Sequence, residues 1–458
     1  MKKLFVILLV VVQTLMVAQT AGAQEITGAW SGELAVQGIK LPLVFNITRE
    51  GEGYKATMDS PREGVKGIPL QETRYENGEL TLHAPGIGLK YTGRLKDENT
   101  LEGTFSQGGM TLPLTFQRGT AASERKRPQT PQPPYAYYTE DVTFKNEKEG
   151  NLLAGTLAAP DESKDIPMLV MITGSGQQNR DEEIALHKPF LVIADYLAKK
   201  GIGTLRLDDR GIGGSERGKA NPTCEDFAGD IHSAVNFLVA KGYKNIGLIG
   251  HSEGGMIAPM VGTIHPEVKF MILLAGPGIP LGRNMELQLS NLYRATGLSD
   301  EVVNEISRGL NRLIRNTNER ETPYTNQELK AELNTVFSGV PAHQRPAYIN
   351  EIGPLFATSW GRYFLKFKPE EYLSKIKVPV LALNGGLDLN VPAKENLEGI
   401  KQALTKGGNK HFEVMEFEGL NHLFQTAKTG SPSEYESIEE TISPKVLEKI
   451  SAWVQGLL

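Results

Sequence analysis

Between residues 25 and 118 apolar and polar positions alternate with a period close to two, as in the segments 41–47, 91–95, 101–105 and 112–116. Turn residues separate the runs, for example Glu76-Asn77-Gly78 and Lys96-Asp97-Glu98-Asn99. A period of two sends successive side chains to opposite faces of a strand, so the pattern predicts half-buried strands. Short strands at this spacing predict a small all-β barrel or sandwich of about seven or eight strands over 25–118. A large aromatic residue such as Trp30 is expected in its core, the alternative being a surface platform for a sugar. No constellation of reactive side chains is visible in this stretch.

Residues 119–137 break the pattern with Ser, Thr, charged residues and prolines at 128, 131, 133 and 134, which predicts a semi-extended linker. From residue 138 on, apolar runs alternate with segments of helical period. Residues 141–145 and 152–158 suggest an antiparallel pair. Strands are predicted at 168–173, 204–207, 246–249, 270–274, 380–383 and 412–417. Helices fit between most of them, at 189–200, 223–240 with Thr223 as N-cap, 254–264 and 393–404. Ser443-Pro444 then opens a last helix to about Gln455. Such alternation predicts an α/β fold over 138–458, a mostly parallel sheet with helices on both faces. The roughly hundred residues between the strands at 270 and 380 are too long for a plain loop, and their amphipathic stretches at 301–315 and 326–337 predict a helical cap over about 279–376.

Composition changes this picture at one end. Lys2 and Lys3 precede the apolar run 4–12, and Ala21-Gly22-Ala23 follows it, the pattern of a signal peptide (1–23) cleaved near Ala23. The expectation is an exported protein, periplasmic or secreted, with no membrane span in the mature form. Loss of the two lysines carries the formal charge from -5 to -7. A mildly acidic chain without a basic cluster argues against nucleic acid as partner. Cys224 is the only cysteine, so no internal disulfide is possible, and it is expected to pack near a helix start. Oligomeric state is not legible.

The candidate chemistry starts at Gly250-His251-Ser252-Glu253-Gly254-Gly255, placed after an apolar strand and before a helix. With 49 glycines in the chain, G-x-S-x-G alone means little. On a strand-turn-helix it presents the serine hydroxyl at the tip of a tight turn. A hydroxyl is a weak nucleophile at neutral pH and needs a base, which needs an orienting carboxylate. Asp388 follows the strand at 380–383 and His422 the strand at 412–417, the order Ser, acid, His. The other histidines fall inside elements or away from such loops, and His251 points the wrong way beside the serine. For a developing oxyanion, backbone N–H donors are expected from Glu253 and from the loop Thr173-Gly174-Ser175-Gly176-Gln177, with Ser175 ahead of Gly176.

These residues resemble the α/β-hydrolase superfamily over about 138–458. The turn Leu207-Asp208-Asp209-Arg210-Gly211-Ile212-Gly213-Gly214-Ser215 and the segment 173–181 are similar to those of an exported bacterial esterase-like group related to serine aminopeptidases and dienelactone hydrolases. Thr173 stands where many members carry histidine. The resemblance implies a structural role for Asp209 and Arg210, and hydrolysis of a small-molecule acyl ester through Ser252, His422 and Asp388 without metal or cofactor. A serine aminopeptidase, with cap carboxylates such as Glu286, Glu301, Glu305 or Glu332 holding a free amino terminus, is the alternative. A non-catalytic binding protein on the same scaffold is the second alternative.

Overall fold

The computed structural model describes residues 25–36, 39–61, 65–107, 110–119 and 127–457. The expected signal segment, 1–23, lies outside the described residues. The chain divides into two compact units, Met1–Ser123 and Glu124–Leu458.

The first unit is one antiparallel sheet of nine strands: β1 (Gly28–Val36), β2 (Ile39–Glu50), β3 (Gly53–Ser60), β4 (Val65–Leu70), β5 (Glu72–Glu76), β6 (Glu79–Ala84), β7 (Leu89–Leu95), β8 (Thr100–Gln107) and β9 (Met110–Arg118). Their order is β4-β3-β2-β1-β9-β8-β7-β6-β5. Strands β4 and β5 stand at opposite ends of that order, yet only Gln71 separates them in the chain. One residue can join them only if the sheet curls until its edges meet, which makes it a nearly closed barrel. The rings of Tyr54 on β3 and Tyr75 on β5 meet edge to face at 6.0 Å across that seam. The strand count exceeds the seven or eight expected, because β4 and β5 run together in sequence. Trp30 is fully buried and its indole donates to the Ile26 carbonyl at 2.8 Å, so it is a core residue.

The second unit carries an eight-stranded sheet: β10 (Tyr138–Lys145), β11 (Leu152–Ala159), β12 (Pro167–Ile172), β13 (Gly203–Leu207), β14 (Asn245–His251), β15 (Val268–Leu274), β16 (Val380–Gly385) and β17 (Phe412–Phe417), in the order β10-β11-β13-β12-β14-β15-β16-β17. Strand β11 pairs antiparallel with β10 and β13, and every later pairing is parallel. All positions of β12, β13 and β16 are buried. A strand covered on both faces favours apolar residues throughout, as in β12; in β13 the buried Arg206 is compensated by an ion pair with Asp181.

Helices α1 (Pro189–Ala198), α2 (Cys224–Ala240), α3 (Glu253–Gly262), α10 (Ala393–Lys406) and α12 (Pro444–Gln455) cover the sheet in two apolar layers. Thr223 caps α2, its N–H donating to the Asp226 carboxylate at 2.7 Å, and Ser443-Pro444 opens α12. Between β15 and β16 lie α4 (Leu281–Ala295), α5 (Asp300–Glu319), α6 (Asn326–Val336), α7 (Arg345–Ala357), α8 (Ser359–Lys366) and α9 (Glu370–Leu373), an all-helical insertion; α11 (Pro432–Tyr435) is a single turn between β17 and α12.

Part of the proline-rich stretch belongs to this unit. Arg127 donates to the carbonyls of Glu436 and Ile438 at 2.8 Å, and Gln129 bridges the Thr441 N–H at 2.6 Å and the Ile442 carbonyl at 2.7 Å. No helix among the described residues is long and apolar enough to cross a membrane.

Candidate active site

Ser252 sits where β14 turns into α3, with φ +53° and ψ -116°. A side chain in that region costs of order 1–3 kcal/mol of backbone strain. The surroundings hold it there: the Ser252 N–H donates to the Leu274 carbonyl and the Gly255 N–H to the Ser252 carbonyl, both at 2.9 Å. The neighbouring glycines are required by space. A Cβ on Gly250 would run into the Gly254 carbonyl, and one on Gly254 into the Ile172 carbonyl of β12. Two backbones pass too closely for any side chain, which is the physical content of the G-x-S-x-G pattern here.

The loops after β16 and β17 bring Asp388 and His422 together. Asp388 Oδ2 lies 2.7 Å from His422 Nδ1, while Oδ1 accepts the backbone N–H groups of Asn390 and Val391, each at 2.8 Å. The Asp388 side chain has no exposed surface, and that of His422 is 9% exposed. A carboxylate on Nδ1 holds the proton on that nitrogen, leaving Nε2 as a free proton acceptor. Ser252 and His422 line the same cavity, about 340 Å³ in volume, together with Gly174, Ser175, His251 and Glu253.

The loop after β12 forms the opposite wall. Its Gly174 N–H is already taken by Glu182 Oε1 at 2.8 Å. Ser175 faces the Ser252 cavity, whereas Gly176, at φ +98°, lines a neighbouring one. Of the expected donors, Ser175 and Glu253 line the cavity that holds Ser252, and Gly176 lines the neighbouring one. Asp209 pins this loop, accepting from Gln178 N–H and the Thr173 hydroxyl, each at 2.8 Å. Burial pushes the Asp209 carboxyl up to about 7, against those two hydrogen bonds and with help from Glu182 and Glu253. Arg210 is locked between Asp230 and Glu149, at 2.7 and 3.0 Å.

A second cavity of about 600 Å³ adjoins the first, and Gly174, Glu253 and Trp360 line both. Trp360, on α8, donates to Glu253 Oε1 at 2.8 Å, and the Cys224 thiol donates to the same oxygen at 3.0 Å. Burial raises the Glu253 carboxyl above the ordinary carboxylate range, opposed by these donors. Among the described residues, no group of three His, Cys, Asp or Glu could hold a metal ion.

The strand order, with an antiparallel second strand and a crossed third and fourth, and the serine turn after the fifth strand in chain order decide the fold. The chain has the α/β-hydrolase fold. The Hydrolase_4 family model, described as serine aminopeptidase S33, matches residues 188–340 of this chain. Esterase EstD of Thermotoga maritima is 25% identical over 360 residues, covering 77% of this chain and 75% of that protein. Among solved structures, the Pyrococcus furiosus esterase Pf2001 has a TM-score of 0.43 at 14% identity, covering 70% of this chain and 90% of that one. The hypothetical protein PA2218 of Pseudomonas aeruginosa has a TM-score of 0.43 at 16% identity, covering 73% and 98%.

The other histidines of the second unit have structural partners where they approach the site. His187 is buried among Thr441, Gln425 and the Tyr435 carbonyl, and burial pushes its pKa down to about 4. His251 bonds to Glu182 and to the His422 carbonyl. Sequence reasoning missed Glu182 and Trp360. Asp181-Glu182-Glu183 reads as a solvated acidic run, and nothing in the spacing of Trp360 ties it to a serine more than a hundred residues earlier.

Proposed function

We propose that the chain is an exported carboxylesterase working through an acyl-enzyme. Ser252 Oγ attacks the acyl carbon while His422 Nε2 takes its proton, and Asp388 stabilises the resulting imidazolium. The oxyanion is met by the N–H groups of Glu253 and Ser175. Collapse breaks the bond to the alcohol oxygen, which leaves with the proton from His422. Water then attacks the acyl carbon with His422 again as base, releasing the acid and restoring Ser252.

The observation that carries this reading is the Asp388–His422 pair at 2.7 Å, with its ring lining the same cavity as a serine held at positive φ. Because the departing alcohol takes its proton from His422, it lies on the His422 side of Ser252. The acyl group then extends over Gly174 and Glu253 toward the 600 Å³ cavity, whose walls include Ile172, Phe227, Ile257 and Trp360. The cap residues facing the Ser252 cavity, among them Leu281, Asn284, Met285 and Phe364, carry no charge. Glu286 is tied to Arg283 and to Ser307, the latter at 2.7 Å, and Glu301 and Glu305 are exposed. A neutral ester therefore suits the site better than a peptide with a free ammonium group. Export rests on the segment 1–23, with its two lysines, apolar run and Ala21-Gly22-Ala23.

The test is hydrolysis of p-nitrophenyl acyl esters by the protein lacking residues 1–23, beside Ser252→Ala. Turnover should vanish in the variant together with fluorophosphonate labelling, and unchanged turnover there would overturn the assignment. Cleavage of aminoacyl arylamides without cleavage of esters would favour the peptidase, and failure of the unaltered protein to be labelled would favour the binding protein.

A further inference from the structure

At the wall of the Ser252 cavity lies a pair of ionisable groups that the reaction as written does not use. Glu182 is 1% exposed and sits at φ +52°, in a loop where Ala185 and Leu186 also have positive φ. Its Oε1 accepts two hydrogen bonds, from Gly174 N–H at 2.8 Å and from His251 Nδ1 at 2.9 Å. On the other side of that ring, His251 Nε2 donates to the backbone carbonyl of His422 at 3.0 Å. The rings of His251 and His422 pack with centroids 4.7 Å apart.

We propose that Glu182 and His251 are positioning residues, a buried carboxylate–imidazolium pair that ties the oxyanion loop at Gly174 to the loop carrying the base His422. The inference rests on the esterase reading. Each ring nitrogen of His251 faces an oxygen, and with Glu182 ionised both of those oxygens are acceptors only, so both nitrogens must carry hydrogen for the contacts to be bonds. A ring with two N–H groups is a cation. Burial pulls the His251 pKa down, but the Glu182 carboxylate outweighs it and leaves it raised. The other ionisable groups near the pair are His422, with Asp388 beyond it, and Asp209, which Glu182 also perturbs. One oxygen of Glu182 thus sets the distance between the two halves of the site, and local backbone strain is the cost of bringing it there.

The first measurement is an ¹⁵N spectrum of histidine-labelled protein at pH 7.5, where ordinary histidine is neutral. A doubly protonated ring should be present, absent in His251→Gln and neutral in Glu182→Gln. The second is the pH profile of ester hydrolysis. Glu182→Ala and His251→Gln should each lose roughly ten- to a hundredfold in kcat/KM through misplacement of donors and base. Glu182→Gln, which can still accept from Gly174, should recover most of it. His251→Gln leaves the Glu182 carboxylate unpaired near His422, so the acidic limb should move up by roughly one unit. Absence of a doubly protonated ring in the unaltered protein overturns the proposal even if the variants do not fold. So do Glu182→Ala and His251→Gln variants that keep rates within twofold and an unmoved acidic limb. Ester turnover surviving in Ser252→Ala, by contrast, sinks the esterase reading itself.

Discussion

Replacing Asp388 by asparagine separates the chemistry of the site from its stability. Oδ1 accepts two backbone N–H groups at 2.8 Å and Oδ2 faces His422 Nδ1 at 2.7 Å. In Asp388→Asn the amide oxygen must take the place between the Asn390 and Val391 donors, because an NH₂ there would meet two N–H groups. The NH₂ is thereby turned toward His422 and donates to Nδ1. That moves the imidazole proton to Nε2, the atom that takes the serine proton in the proposed reaction. A wrong tautomer with intact geometry costs about 10⁴ in kcat, or about 5 kcal/mol of barrier at 1.36 kcal/mol per tenfold. The fold should hardly notice, since each contact keeps one donor and one acceptor; a loss of about 1 kcal/mol would move Tm by only about 2–4 °C. Asp388→Ala, by contrast, strands two N–H groups at about 1–3 kcal/mol each and should melt markedly earlier. Initial rates on a p-nitrophenyl ester at saturation, with thermal melts of both variants, make the measurement. A kcat for Asp388→Asn within tenfold of the unaltered enzyme would refute the assignment of the Asp388–His422 pair.

Other outcomes follow from single contacts. Gly254→Ala drives a methyl into the Ile172 carbonyl and should cost about 1–3 kcal/mol of stability together with most activity, measured by melts and ester turnover; a variant equal to the original in both would show that the turn tolerates a side chain. Ile257→Trp, filling the larger cavity, should lower kcat/KM for octanoate by roughly tenfold or more relative to acetate, and an unchanged chain-length profile would overturn the placement of the acyl group. Asp209 ionises near 3.8 when unfolded and holds its proton to about 7 in the fold, so the folded state binds more protons between those values. Its contribution to stability falls as pH rises through that window. The Tm of Asp209→Asn relative to the unaltered protein should therefore be more favourable at pH 8 than at pH 5, and an equal difference at both would contradict it.

Much of this was legible before any coordinates, because the determining signals are local. Period-two alternation, unbroken apolar runs and the Thr223 and Ser443-Pro444 helix starts follow from short-range geometry, and the structure has strands and helices at those places. The serine turn is also local, since Gly250 and Gly254 are demanded by backbones that meet within five residues and at the adjacent strand. Asp388 and His422 could be nominated because loops at the C-terminal ends of parallel strands converge on one edge.

What the tertiary structure alone decided are relations with no sequence period. That β4 and β5 close a barrel depends on sheet curvature accumulated over nine strands, whereas the sequence shows only one mixed polar and apolar stretch with a single residue, Gln71, between the two strands. That Gly176 lines the neighbouring cavity while Ser175 faces Ser252 depends on a loop set by Asp209 and Glu182. Trp360 reaches Glu253 from 107 residues away, and Glu182 reaches His251 from 69. Hydrogen bonds of that reach are selected by how layers pack, and the residues that make them look, in sequence, like any exposed acid or buried aromatic. The sequence by itself determined the two folding patterns and nominated the three side chains of the proposed reaction; only packing decided which buried groups surround them and which cavities adjoin them.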